Sequence, residues 1–117
     1  MKEYLFICQH NFTRSKFGAE FLRGYLRGRK IDAKVRSAGM GFLSYFLGKK
    51  INKRILNRAD KIFVMEKYME KFLKENFSVE KTKIINLNIK DEYGFLRRKS
   101  VDQLDRILQK INWRRIL

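Results

Sequence analysis

The chain's one cysteine, Cys8, is followed six positions later by an arginine, Arg14, and then by a hydroxyl, Ser15. The stretch Cys8-Gln9-His10-Asn11-Phe12-Thr13-Arg14-Ser15 supplies much of what attack on a phosphate monoester needs: a nucleophile, charge stabilisation and a cradle for a tetrahedral oxyanion. As a thiolate, Cys8 attacks phosphorus and forms a phosphocysteine. The Arg14 guanidinium is a planar fork of donors matching two phosphoryl oxygens, with more of them engaged in the transition state. Backbone N–H groups of residues 9 to 14 can hold the equatorial oxygens, so Gln9, His10, Asn11, Phe12 and Thr13 count as substrate-binding positions. His10 lends its amide rather than acting as a general base. Asn11 tolerates unusual backbone angles and bonds neighbouring loop groups. Ser15 hydrogen-bonds the sulfur, keeping it charged and making it a better leaving group in the second step. Taken alone, a cysteine at a strand end is a small core residue. The residues around Cys8 match the roles as well as the spacing, which favours the catalytic reading. No His/Cys/Asp cluster has ligand spacing, so neither metal nor cofactor is expected.

Such a loop must be held between rigid elements. A short apolar run, Tyr4-Leu5-Phe6-Ile7, reads as the strand that delivers Cys8. A helical stripe of Gly18, Phe21, Leu22, Tyr25 and Leu26 predicts a helix from Ser15 to Arg29. Its N-terminus adds positive potential for an anion and favours the thiolate. A second strand, short and at an edge, is expected over Ala33 to Arg36. Glycines then bracket an aromatic stretch, Met40 to Gly48. Lys49 to Arg58 reads as a helix with Ile51, Ile55 and Leu56 inward and Lys49, Lys50, Lys53, Arg54 and Arg58 outward. Ile62-Phe63-Val64, within Lys61 to Met65, has the continuous apolar character of a buried parallel strand. A helix over Glu66 to Asn76 would pack Met69, Phe72, Leu73 and Tyr68, and a fourth strand covers Lys83 to Leu87. Ser100-x-x-Gln103 is a capping box opening a last helix with Val101, Leu104, Ile107, Leu108 and Ile111 on its stripe. Trp113 reads as a core or interface anchor. Strands alternating with helices predict an α/β fold with a mostly or wholly parallel sheet.

The Cys-x5-Arg-Ser spacing, with Asn11 three residues after the cysteine, resembles the signature of the low-molecular-weight protein tyrosine phosphatase family, in particular its short prokaryotic branch. Three further stretches resemble it in order. Ser37-Ala38-Gly39 is similar to the segment after the family's second strand. Ala59-Asp60-Lys61-Ile62-Phe63-Val64-Met65-Glu66 is similar to its third strand and following helix start. Asp91-Glu92-Tyr93 is similar to the loop that supplies its general acid. The resemblance implies the phosphotyrosine protein phosphatase I-like fold: a single domain over 1–117, with an open four-stranded parallel sheet in the order 2-1-3-4 and helices on both faces. It implies that the Met40 to Gly48 region walls the substrate cleft, a hydrophobic loop on the core being the other reading. It implies Asp91 as the acid that protonates a leaving phenolate and then as the base on water. Glu92 is the competing carboxylate, and Tyr93 either borders the cleft or packs on the last helix. In such sheets ligands bind beyond the carboxyl ends of the strands, which puts the loops after strands one and four on the same edge. Asn88 and Lys90 stand where the family has aspartate and proline, and Lys16 where it has proline. Ala19-Glu20 comes one residue late, so that Gly18 takes the place of the family's alanine.

The remaining features bound the reading. A length of 117 residues means one domain, and no apolar run reaches membrane-spanning length. A lone cysteine and the lack of a secretory signal predict a cytoplasmic protein. The net charge of +16 calls for anionic partners: a phosphorylated protein or small aryl phosphate, with inorganic phosphate or sulfate as occupants of the loop. Two alternatives use the same features. An arsenate reductase-like enzyme would need an external thiol, because the chain has no second cysteine. A basic RNA-binding module on a phosphatase scaffold would use the Lys49 to Arg58 face, Arg97-Arg98-Lys99 and Arg114-Arg115.

Overall fold

A computed structural model of the chain describes residues 1–8, 14–41, 50–89 and 105–117, Arg14 by its backbone only. β1 (Lys2–Cys8) leads to α1 (Arg14–Gly28), then β2 (Ala33–Gly39), α2 (Lys53–Arg58), β3 (Lys61–Val64) and α3 (Lys67–Phe77). A 3₁₀ turn, Lys81–Lys83, precedes β4 (Ile84–Asn86). The chain is helical again over 105–110 and at Trp113–Ile116.

The four strands form one parallel sheet in the order β2-β1-β3-β4, as the resemblance implies. β1 is central, and its alternate side chains show that both faces are covered. Tyr4 and Phe6 point one way, Leu5 and Ile7 the other, and all four are buried. Phe6 stacks on Phe63, its partner across β3, with ring centroids 4.7 Å apart. Trp113 closes over this pair, 5.5 Å from the Phe63 ring and 6.1 Å from those of Phe6 and Phe21. Its indole N–H donates to the Leu108 carbonyl at 2.9 Å, so its polar group is satisfied inside the core. Trp113 is thus a core anchor. On the other side α3 packs against β3 and β4, burying Met69 and Leu73.

Gly18 shows why α1 departs from an alanine at this point. A Cβ there would lie 2.5 Å from Phe6 Cδ1 and 2.6 Å from Cε1, and Phe6 is fully buried against Phe63. Gly18→Ala therefore overpacks the core, at about 1–3 kcal/mol. Helix propensity returns about 1 kcal/mol of this. At Gly24, in the same helix, an added Cβ would meet nothing within 4 Å. Gly24→Ala should stabilise by about 0.5–1 kcal/mol. Opposite shifts in thermal midpoint for the two variants are the expected result; a stabilised Gly18→Ala would contradict the close packing on Phe6.

Four expectations are corrected. β2 continues through Ser37-Ala38-Gly39, because Ile7 and Cys8 pair with Ala38 and Gly39. It does lie at an edge. The helix expected from Lys49 begins only at Lys53. Lys50 forms a parallel bridge with Gly39, Ile51 N–H donates to the Gly39 carbonyl at 3.0 Å, and Asn52 caps the helix by accepting from Ile55 N–H at 3.0 Å. The continuous basic helix face is therefore broken, with Lys50 outside the helix. Tyr68 is 47% exposed rather than packed. Ile111 lies beyond the helical segment 105–110. Residues 42–48 of the aromatic stretch Met40 to Gly48, together with Lys49, the Ser100 capping box, Val101 and Leu104, lie outside the described residues.

Candidate active site

β1 ends at Cys8 and α1 begins six residues on, at Arg14. Each side of this junction is fixed by backbone pairing. Cys8 pairs with Gly39 across the ladder, and its carbonyl accepts from Met40 N–H at 3.0 Å. Ser15 sits in the first turn of α1, fully buried. The two side chains meet: Cys8 Sγ and Ser15 Oγ are 2.9 Å apart, a buried hydrogen bond spanning the loop. A buried hydroxyl requires such a partner. The contact joins the last residue of a strand to the first turn of a helix, so it also fixes how the loop is closed.

Cys8 is 4% exposed, and lies at the carboxyl edge of the central strand. β2 lies on one side of β1 and β3 on the other, so the strand order reverses here. This is where open α/β sheets bind ligands. Because every strand is parallel, β4 ends on the same edge. Beyond β4, Leu87 N–H donates to the Val64 carbonyl at 2.9 Å and Ile89 N–H to the Met65 carbonyl at 2.8 Å. The chain therefore follows the end of β3 as far as buried Ile89. Between them Asn88 adopts a left-handed conformation, φ 55°, and its N–H donates to Asn86 Oδ1 at 2.9 Å. Asparagine is one of the few side chains that tolerate that conformation.

Of the residues expected at the site, the structure brings Cys8 and Ser15 together. Gln9, His10, Asn11, Phe12 and Thr13, the Arg14 side chain, and Asp91, Glu92 and Tyr93 lie outside the described residues. Sequence reasoning missed Gly39 as the ladder partner of Cys8 and Met40 as the donor to its carbonyl; the only signal was the Ser37-Ala38-Gly39 resemblance. Among the described residues no group of three His, Cys, Asp or Glu side chains is placed to hold a metal ion, and no helix is long and apolar enough to cross a membrane.

No protein-family profile matches the chain, and no curated protein matches it. Solved structures do. A low-molecular-weight protein tyrosine phosphatase from T. tengcongensis superposes with a TM-score of 0.78 at 18% identity, covering 100% of both chains. The tyrosine phosphatase Wzb from Escherichia coli K30, solved in complex with phosphate, gives 0.74 at 20% identity over 92% of this chain and 91% of its own. A cysteine-to-serine mutant of the arginine phosphatase YwlE, solved with its active-site serine phosphorylated, gives 0.71 at 14% over 92% and 91%. With its sheet order, its buried Cys8–Ser15 contact and these superpositions, the chain has the fold of the low-molecular-weight protein tyrosine phosphatases.

Proposed function

We propose that the protein, acting as one domain in the cytoplasm, is a cysteine-dependent phosphatase that hydrolyses phosphotyrosine-like aryl phosphate monoesters. The observation that carries this reading is the buried 2.9 Å contact between Cys8 Sγ and Ser15 Oγ at the strand-to-helix junction. Its support comes also from neighbours of the same fold, one holding phosphate and one, a cysteine-to-serine mutant, phosphorylated at the serine that replaces its cysteine. In the proposed reaction the Cys8 thiolate attacks phosphorus and the P–O bond to the aryl group breaks. Asp91 gives its proton to the departing phenolate, and phosphocysteine forms. Asp91, now a carboxylate, takes a proton from water; the water oxygen attacks phosphorus, the S–P bond breaks and inorganic phosphate leaves. Ser15 donates its hydroxyl hydrogen to the sulfur, stabilising the thiolate at the start and as the leaving group at the end. The Arg14 guanidinium and the amides of residues 9 to 14 hold the phosphoryl oxygens throughout.

This arrangement is tested by the chemistry of Cys8 itself. An oxyanion held over the sulfur excludes an alkylating reagent, so phosphate at about 100 times its Kd should slow alkylation of Cys8 about 100-fold. Mass spectrometry of the labelled protein, with and without phosphate, measures it. Equal rates at saturating phosphate would contradict the proposed loop. A parallel assay with arsenate and a low-molecular-weight thiol distinguishes the reductase alternative: arsenite formation without aryl phosphate hydrolysis would replace the phosphatase reading.

A further inference from the structure

A cavity of about 330 Å³ opens beside β2, and three basic residues line it. They come from three separately positioned elements: Arg23 from α1, Arg36 from β2, and Lys50 from the segment that bridges to Gly39 ahead of α2. Ser37 and Asn52 add neutral polar groups, and among the described residues no carboxylate lines the cavity. Arg23 is anchored by its Nη2, which donates to the Val35 carbonyl at 2.6 Å. The nearest acid to it, Glu20, stands outside the lining at 3.6 Å in a largely exposed pair, which contributes little. Basic side chains grouped around one small concavity give it a positive potential that favours an entering anion. Two guanidinium forks and an ammonium are the donor set that suits the oxygens of a phosphate group.

We propose that this cavity binds a phosphate group, separately from the Cys8 loop. None of its lining residues belongs to the stretch from Cys8 to Ser15. The cavity is sized for a small ligand, either inorganic phosphate or the phosphate of a small alkyl monoester. The site goes beyond the phosphatase reading and does not depend on it.

The test uses the full chain, labelled with ¹⁵N, both untreated and with Cys8 carboxamidomethylated to fill the loop. Inorganic phosphate and glycerol 3-phosphate are the two probes. The expected result is that titration moves the amide signals of Arg36, Ser37 and Lys50 in both protein forms. In the Arg36→Gln/Lys50→Gln variant that response should weaken at least roughly tenfold, the loss of one or more charge-assisted hydrogen bonds. The response of the Cys8 and Ser15 amides in the untreated variant should be unchanged. A response to one probe alone identifies the ligand as free or esterified phosphate. Pocket amides that stay still with both probes, or move equally in the variant, overturn the proposal. Pocket amides that respond while those of Cys8 and Ser15 do not leave this site standing and remove the phosphatase reading instead. The wild-type titration needs no substitution, so a variant that failed to fold would not protect the idea.

Discussion

Cys8→Ser abolishes aryl phosphate hydrolysis and leaves the fold intact: that is the expected result of the most damaging single substitution. A serine hydroxyl is not ionised near neutral pH, and Asp91, which must start protonated to serve the leaving group, is not available to take its proton, so the loss of turnover should be about 10⁴-fold or more. The fold should survive because the change is small and its consequences are local. Cys8 Sγ already faces the Ser15 hydroxyl at 2.9 Å, and a second hydroxyl there can donate or accept, leaving no buried group unpaired. The cost to stability should therefore stay near the net worth of one hydrogen bond, about 1 kcal/mol. Steady-state kinetics on a small aryl phosphate, with a thermal melt of the same preparation, checks both halves. Activity within tenfold of wild type would exclude Cys8 as the nucleophile.

The second large effect is expected at Asp91, and its size should depend on the leaving group. A general acid matters in proportion to how badly the departing oxygen needs a proton. The phenolate of a tyrosine-like ester leaves poorly without one, whereas a nitrophenolate leaves readily. Asp91→Asn should therefore slow phosphotyrosine hydrolysis by about 10²–10⁴-fold and activated esters less. Glu92→Gln should do little, because the proposed reaction uses one carboxylate as its acid and the resemblance assigns that role to Asp91. The structural support is the route of the chain. β4 ends on the same sheet edge as β1, and Ile89, two residues before Asp91, is tied to the Met65 carbonyl at the end of β3. Kinetics of both variants on both esters decides the assignment. A large, leaving-group-dependent loss in Glu92→Gln alone moves the role to Glu92. No such loss in either variant places the proton source elsewhere.

What could be read from the sequence is what depends on short spacing or on local pattern. Cys8, Arg14 and Ser15 are close in the chain, and Phe6 and the Ile62–Val64 run are apolar enough to be buried wherever they lie. The strand order came from ordered matches along the chain rather than from any one of them. The misread boundaries share a cause: they are set by partners distant in sequence. Ser37-Ala38-Gly39 has little strand propensity of its own, and is strand because Phe6, Ile7 and Cys8 present a ladder to it. Lys49 to Arg58 has helical periodicity throughout, yet Gly39 holds Lys50 and Ile51 in an extended pairing and Asn52 starts the helix late. Gly18 looked like a substituted alanine, and only the Phe6 ring above it shows why a methyl does not fit. At the site, the Cys8–Ser15 contact was legible because seven residues separate its partners, whereas Gly39 and Met40 reach Cys8 from another strand.

The closure of the Phe6–Phe63 face by Trp113 sets an order of events during synthesis. The strand carrying Phe6 leaves the ribosome well before the ring that covers it, which is more than 100 residues downstream. At typical elongation rates the two are separated by about 5–20 s. Throughout that interval β1 can pair with β2 and later with β3, while the Phe6–Phe63 face lacks its indole cover. The central strand thus waits as a nascent-chain hydrophobe, and this core is completed only once the chain through Trp113 has emerged.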